Sequence, residues 1–294
     1  MNYFLGEAWI TLLARTGSIA RPRRLHVGGD AIWVGEYQNV RQRKWQLYGS
    51  HESGGSDWLQ ELFAQGRDAG VFQIECAFNM ARWSDQELLH TLGVTITEEF
   101  GTYEIDLRGD EAALWSGVHS SHRTKINRGK REGLQVCFSF DCDPFISLMD
   151  QTYARGGDDN PFSRDYLQLL LATSGSDMLL VGITSPRGLE AGSIIPLDAE
   201  RGYFLHGATR LDAPPGASAL LHWQTMLALK QRGIPLYDLG GARRETQNPR
   251  LKGIFQFKER FGGRFQPCWY WRKVIHPGRK WLHDGAVWIT KHLP

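Results

Sequence analysis

The sequence predicts a mixed α/β (α+β) fold in two similar modules, each a mostly antiparallel sheet flanked by helices. Three observations carry that prediction: a length of 294 residues, a composition with 41% hydrophobic and 22% charged residues, and an order of elements that occurs twice. The length exceeds the usual single domain, and the composition is that of a folded globular chain. The repeated order is strand, strand, strand, helix, strand, helix, strand. It places a first module at 1–109, a linking basic helix and strand at 110–140, and a second module at 141–294. A single larger α/β domain is the competing reading.

In the first module AIWVGEY and KWQLYGS, residues 31–37 and 44–50, are rich in aromatic and β-branched side chains and read as a hairpin. DWLQELFAQGRDAG follows as a helix. Trp58, Leu59, Leu62 and Phe63 have helical spacing, Asp57 and Gln60 form a capping pair, and Gly66 or Gly70 ends the run. VFQIECAF returns as a strand. SDQELLHTLG opens with Ser84 and Glu87 at capping-box spacing and leads to the strand TYEIDL. The second module repeats the order. DMLLVGIT and AGSIIPLD form its hairpin, RGYFLHGAT its third strand, SALLHWQTMLALKQRG its helix and IPLYDLGG its returning strand. LKGIFQFKERFGG then leads to the strand FQPCWYW. Between the modules, Leu114, Trp115, Val118 and Ile126 lie at helical intervals and Gly133 ends the pattern. DPFISLMDQTYARGG and SRDYLQLLLATSG predict two further helices.

Composition narrows the functions. A net charge of +2 makes any basic character local. Cys76, Cys137, Cys142 and Cys268 form no C-x-x-C pair and no metal-ligand spacing with histidine. They read as reduced thiols of a cytosolic protein. The stretch MNYFLGEAWITLLARTGS carries Glu7 and lacks a basic n-region, which argues against a signal peptide. No apolar run reaches the ~18 residues of a membrane span. H-E-x-x-H, G-x-S-x-G, the Walker loop and G-x-G-x-x-G are absent. HESGGSD, 51–57, has the composition of a loop, and His119 with His122 reads as a solvated helix face. Hydrolysis by a metal or by a serine triad therefore has no support, and neither a metal nor a resident cofactor is expected.

What remains is a set of cations and bare backbone. DLGGA, 238–242, ends a strand with two glycines, which expose N–H groups and let a ligand approach. Asp238 either orients an amine or hydroxyl, or caps the loop it begins. Lys258 sits among Phe255, Phe257 and Phe261. A cation so enclosed either holds a developing oxyanion or phosphate, or snorkels past its apolar neighbours. Arg123, Lys125, Arg128, Lys130 and Arg131 run without an acid until Glu132. Such a run is either a solvated face or a meeting place for a phosphate-bearing substrate or an RNA backbone.

YDLGG, GIFQFKERFGG and HRTKINRGKREGL resemble signature segments of the FemABX family of peptidoglycan aminoacyltransferases and of the wider GNAT-type acyltransferases. YFLHGATRLDAPPGASALLHWQ is similar to that family's strand, substrate loop and helix. The resemblance covers approximately residues 100 to 270, with F-K-x-x-F-G its most specific part. It implies two tandem GNAT-like domains. It also implies transfer of an aminoacyl group from aminoacyl-tRNA to an amine of a peptidoglycan precursor or related cell-envelope acceptor. Lys258, flanked by Phe257, is then the residue that stabilises the tetrahedral intermediate. The strand end Phe204–Ala208 helps hold the acceptor, with His206 where the family often has an aromatic hydroxyl. Arg164 and Tyr166 match positions that contact the acceptor's phosphates, and Arg123 and Arg128 would face the anionic partner. The implied partners are tRNA as donor carrier and a nucleotide-linked or lipid-linked precursor as acceptor. The implied place is the cytoplasm, at the inner face of the membrane.

Two departures matter. The long coiled-coil arm of some members is missing, as in the smaller ones. The loop R/Q-x-x-G-x-G/A that holds CoA pyrophosphate is approached only by RLKGIF, 250–255, where Phe255 replaces a small residue. That favours a tRNA donor over CoA. The mechanism suggested is direct attack of an amine on an activated carbonyl, because no Cys or Ser is set beside a base. Positioning of two large substrates supplies much of the rate. Lys258 and backbone donors at Gly240 and Gly241 steady the oxyanion, and Asp238 or the substrate takes the proton. Two other readings stand beside it: a CoA-dependent N-acyltransferase acting on an amino sugar or exopolysaccharide precursor, and a non-catalytic anion-binding module. The segment RKWLHDGAVWITKHLP, with Trp281 and Trp288, either packs as a helix or lies against a membrane surface.

Overall fold

The structure, a computed structural model, describes residues 2–38, 43–48, 55–76 and 83–277. Residues 51–54 of the HESGGSD stretch, and the segment with Trp281 and Trp288, lie outside the described residues. The chain forms two compact units, one of residues 102–266 and one of residues 2–101 with the chain from Pro267 onward. The sequence pattern places the divisions at 109 and 140 instead.

The N-terminal unit is a six-stranded sheet. Its strands are β1 (Pro22–Val27), β2 (Asp30–Gln38), β3 (Arg43–Leu47), β4 (Gln73–Cys76), β5 (Thr95–Glu99) and the C-terminal β14 (Trp269–Val274), in the order β1-β2-β3-β4-β14-β5. Period-two alternation turns Ile32 and Val34 inward against Trp45 and Leu47, all buried. Helix α1 (Glu7–Arg15) buries Trp9, Ile10, Leu12 and Leu13. Helix α2 (Ser56–Asp68) buries Trp58, Leu59, Leu62 and Phe63, the face its spacing predicts. Its start differs from the expected Asp57–Gln60 pair: Gly55 is the cap, and the Gln60 amide donates to Ser56 Oγ at 2.8 Å. Helix α3 (Gln86–Thr91) is capped by Asp85 rather than Ser84, its carboxylate accepting the Leu88 N–H at 2.9 Å. An anionic cap is favoured over a hydroxyl there by the helix dipole.

The stretch FQPCWYW is two strands. Pro267, which cannot donate to a ladder, separates β13 (Arg264–Gln266) in the central unit from β14 in the N-terminal one. Trp271 on β14 is fully buried, 6.2 Å from both Phe63 and Trp83.

The central unit holds two four-stranded sheets. One has the order β10-β12-β6-β13, from β6 (Gly101–Asp106), β10 (Arg201–Tyr203), β12 (Leu236–Ala242) and β13. The other has the order β11-β9-β8-β7, from β7 (Gln135–Cys137), β8 (Met178–Ser185), β9 (Gly188–Pro196) and β11 (His206–Thr209). Helix α8 (Ala217–Gln231) is apolar nearly all round and runs through the core, burying Leu220, Leu221, Trp223, Met226 and Leu229. Helices α6 (Cys142–Ala154) and α7 (Arg164–Ser174) occupy their expected places, α7 capped by Ser163. Helix α9 (Pro249–Glu259) starts at an Asn248 cap followed by proline at N1.

The apolar pattern from 114 to 126 belongs to two helices, α4 (Glu111–Gly117) and α5 (Ser120–Arg131). Val118 is fully buried in an extended conformation between them, and the His119 ring accepts the Ser121 N–H to begin the second.

Candidate active site

The predicted single strand RGYFLHGAT breaks at Phe204–Leu205, and that break makes the site. β10 runs parallel to β12 from Arg201↔Leu236 to Tyr203↔Asp238. The Phe204 N–H donates to the Asp238 carbonyl at 2.8 Å. Beyond that rung the chain leaves β12, and β11 pairs with β9 from His206↔Ile194 to Thr209↔Ala191. Two parallel strands therefore part at their carboxyl ends, the place where α/β sheets open a crevice for ligands. Gly240 sits at the parting with φ +74, and a Cβ there would lie 3.1 Å from the Phe204 carbonyl oxygen and 3.8 Å from Lys258 Nζ. Glycine meets both demands.

Asp238 is 0% exposed. Its Oδ1 accepts the Gly240 N–H at 2.7 Å and lies 2.6 Å from Thr102 Oγ1. The Thr102 hydroxyl is also 2.8 Å from the Gly240 carbonyl oxygen. These contacts are those of a carboxylate holding the turn that follows it. Lys258, on α9 and 9% exposed, donates from Nζ to the Gly241 carbonyl at 2.6 Å. The ammonium is thus placed on the glycine pair at the strand end.

The aromatic setting of Lys258 is partly the expected one. Phe255 turns away to Tyr103 and Phe265, at 5.2 and 5.5 Å. Phe257 and Phe261 pack instead on two histidines: His122 at 5.0 and 4.6 Å, and His222 at 5.4 and 4.9 Å. Phe204 adds its ring at 4.7 Å from His222. His122 Nε2 donates to the Phe257 carbonyl at 3.1 Å, and His222 Nδ1 is 2.9 Å from the Tyr237 hydroxyl. Burial lowers the pKa of His122 to about 4. His222 is lowered to about 3, by burial first and then by the charge of Lys258. Both are neutral imidazoles at pH 7.

His122 corrects the sequence reading, which placed it on a solvated face; it is 0% exposed. The signal was present, since His122 shares a helical row with Ile126 and Gly129, both buried. His222 and Thr102 carried no comparable signal.

His206 and Tyr166 are brought together as a buried pair, His206 Nε2 2.9 Å from the Tyr166 hydroxyl, with Phe162 packed edge-on at 4.4 Å. Burial lowers the His206 pKa to about 3. The three arginines are engaged elsewhere. Arg164 is 55% exposed and ion-paired with Asp143. Arg128 pairs with Glu132 at 2.7 Å. Arg123 donates to the carbonyls of Val118 and Ser116, at 2.8 and 3.1 Å, and so ties off the end of α4.

The chemistry available follows from these groups. A carbonyl oxygen seated against Lys258 would gain a fixed positive charge in a largely buried setting as it becomes an oxyanion. Covalent catalysis by cysteine has no such support: burial pushes the thiols of Cys76, Cys137 and Cys142 up, away from the thiolate. Among the described residues no group of three His, Cys, Asp or Glu is placed to hold a metal ion.

Residues 119–259 match the family model of an acetyltransferase (GNAT) domain, a span that holds Asp238, the glycine pair and Lys258. The chain is similar to the crystal structure of FemX, with TM-score 0.75 at 12% identity over 93% of this chain and 92% of that one. It is similar to a C-terminal DUF2156 domain assigned to a lysylphosphatidylglycerol synthetase of Agrobacterium fabrum (TM-score 0.61, 16% identity, 94% and 90% covered). It is also similar to a tandem GNAT protein from the clavulanic acid biosynthesis pathway (TM-score 0.51, 10% identity, 92% and 94% covered). No curated protein sequence matches. The shared fold is that of two GNAT-like domains in tandem.

Proposed function

We propose that this chain, an acyltransferase by its GNAT domain, moves an aminoacyl group from aminoacyl-tRNA to an amine on a cell-envelope precursor. The observation that carries the reading is the placement of the Lys258 ammonium on Gly241, where β12 parts from the strand beside it. The acceptor amine attacks the ester carbonyl, a C–N bond forms, and the C–O bond to the RNA ribose breaks. Lys258 donates to the oxygen that becomes negative in between. Asp238, bonded to its own turn, keeps Gly240 and Gly241 in place, and the proton of the amine leaves with the ribose oxygen. His206 and Tyr166 border the acceptor, with Arg164 outside them for its phosphates.

An RNA donor is favoured over CoA by the start of α8. Gly216 has φ +100, and a Cβ there would lie 2.1 Å from the Lys125 carbonyl oxygen, while Ala217 and Ala219 are buried. This helix N-terminus is packed on α5, whereas a pyrophosphate cradle needs its N–H groups open. The name assigned to one similar structure, a lysylphosphatidylglycerol synthetase domain, joins an amino acid to a phospholipid and supports an aminoacyl group as the cargo. No described helix is long and apolar enough to cross a membrane; in this reading the protein works in the cytoplasm and meets lipid-linked acceptors at the inner face.

Equilibrium binding to unfractionated aminoacyl-tRNA and, in parallel, to acyl-CoA at two salt concentrations tests the donor. Salt-dependent RNA binding without CoA binding is expected. CoA binding alone would make the protein a CoA-dependent N-acyltransferase on an amino sugar or exopolysaccharide precursor.

A further inference from the structure

We infer that the outward face of α5 docks the phosphate backbone of the donor RNA, an inference that rests on the aminoacyl-tRNA reading above. α5 buries one stripe, His122, Ile126 and Gly129. At about 100° per residue, Thr124, Asn127, Arg128 and Arg131 fall opposite that stripe, and all four are exposed. Lys125 and Lys130 flank the row, also exposed. The twelve residues of the helix contain no acid. The helix dipole favours cations in the last turn, but it gives no reason for Lys125 or for the lack of any acid upstream. Glu132 follows the helix and pairs with Arg128, an exposed pair that a phosphate can replace at little cost. Arg123 is excluded from this surface, because the carbonyls ending α4 hold its guanidinium.

The position of the face is as telling as its charge. The inner side of α5 is fastened to α9 beside the lysine. His122 donates to the carbonyl of Phe257, the residue before Lys258, and the His119 N–H donates to the Arg260 carbonyl at 2.8 Å. Gly262, at φ +82, lies so close to the residue before Val118 that a Cβ would be 2.3 Å from the Gly117 carbonyl oxygen. The outer face is therefore about one helix diameter, roughly 10–12 Å, from the backbone that carries the ammonium. A polyanion laid along it has its end within reach of the parted strands. A lipid surface fits this face poorly. A helix that lies in a membrane turns its apolar side to the lipid, and the apolar side of α5 faces the protein core.

The test is a fluorescence-anisotropy titration of a labelled, unacylated tRNA acceptor-stem minihelix against the full chain over a series of salt concentrations. Wild type is compared with Arg128→Gln/Arg131→Gln and with Lys258→Ala. Wild type should bind with an affinity that falls linearly on a logarithmic salt scale. The double variant should bind about tenfold or more weakly, with a slope smaller by about two, and Lys258→Ala should bind as wild type does. Thermal melts that match wild type confirm that the exposed substitutions leave the fold intact. If wild type binds and the double variant matches it in affinity and slope, the surface is wrong while the donor reading stands. If wild type binds acyl-CoA and no RNA, the donor reading falls and takes the inference with it. If phosphatidylglycerol vesicles bind in place of RNA and the double variant loses them, the face is a membrane contact and the inference is overturned.

Discussion

Lys258 and Asp238 occupy neighbouring positions at the parted strands yet have different work. Lys258 presents charge to the carbonyl oxygen, and its removal deletes a transition-state contact. Lys258→Ala is expected to lower turnover by about 10²–10³, the range found for one lost oxyanion donor, while donor affinity stays unchanged. Asp238→Asn keeps an Oδ1 that can accept the Gly240 N–H, so it should retain turnover within about tenfold. A loss as deep as that of Lys258→Ala would instead make Asp238 the proton acceptor. At this scale the sequence showed the lysine with its neighbouring Phe257, and the bare glycines, because each pair is consecutive in the chain. It did not show His222 or Thr102, which reach the same place from elements far away in sequence. The arginines read as facing an anion were visible as charges, but their carbonyl and carboxylate partners were not.

Among the elements, the informative places are the breaks. A continuous apolar pattern covers α4 and α5, another covers β10 and β11, and an aromatic one covers β13 and β14. Apolar or aromatic residues continue through each break, so pattern alone reads one element where two exist. Long helices such as α2 and α8 were legible for the opposite reason: an uninterrupted apolar pattern spans each element, one face in α2 and nearly the whole surface in α8. Two substitutions probe what holds these elements. Gly262→Ala puts a side chain at positive φ against the Gly117 carbonyl. It should cost about 1–3 kcal/mol of stability, read as a lower midpoint in urea at unchanged slope. Glu190 on β9 is fully buried and bound by Arg187 and Arg210, 3.2 and 3.1 Å away, at the hairpin end. Glu190→Ala removes the buried carboxylate, while Arg187 keeps Asp212 at 2.8 Å and both guanidiniums reach solvent, so it should cost about 1–3 kcal/mol, measured the same way.

For the whole molecule, the repeated order of elements was the feature the sequence displayed best, and the tandem GNAT-like fold follows it. Two strand placements were hidden. β14, the last strand of its sheet, enters between β4 and β5, and β6, the first strand of its sheet, enters between β12 and β13, so in both sheets the spatial order departs from the chain order. The buried histidines set a global pH dependence. His122, His206 and His222 have pKa values lowered to about 4, 3 and 3, against about 6.5 in an unfolded chain. Below pH 6.5 the unfolded chain takes up protons that the folded one does not, so stability falls as pH drops from 6.5 toward 4. Urea unfolding at pH 7.5 and pH 5 should differ by on the order of 2 kcal/mol for each histidine; equal stability at the two pH values would show that these rings are already solvated.

The chemistry itself is tested most directly by a single-turnover assay. Protein in excess is mixed with unfractionated tRNA carrying labelled amino acids and with an extract of amine-bearing envelope precursors. The label is then sorted into base-labile ester and base-stable amide. With wild type the label is expected to move from ester to amide, and with Lys258→Ala the same transfer should be slower by about 10²–10³. Label that stays on RNA or is only released by hydrolysis would contradict aminoacyl transfer. Transfer at an undiminished rate in Lys258→Ala would contradict the site.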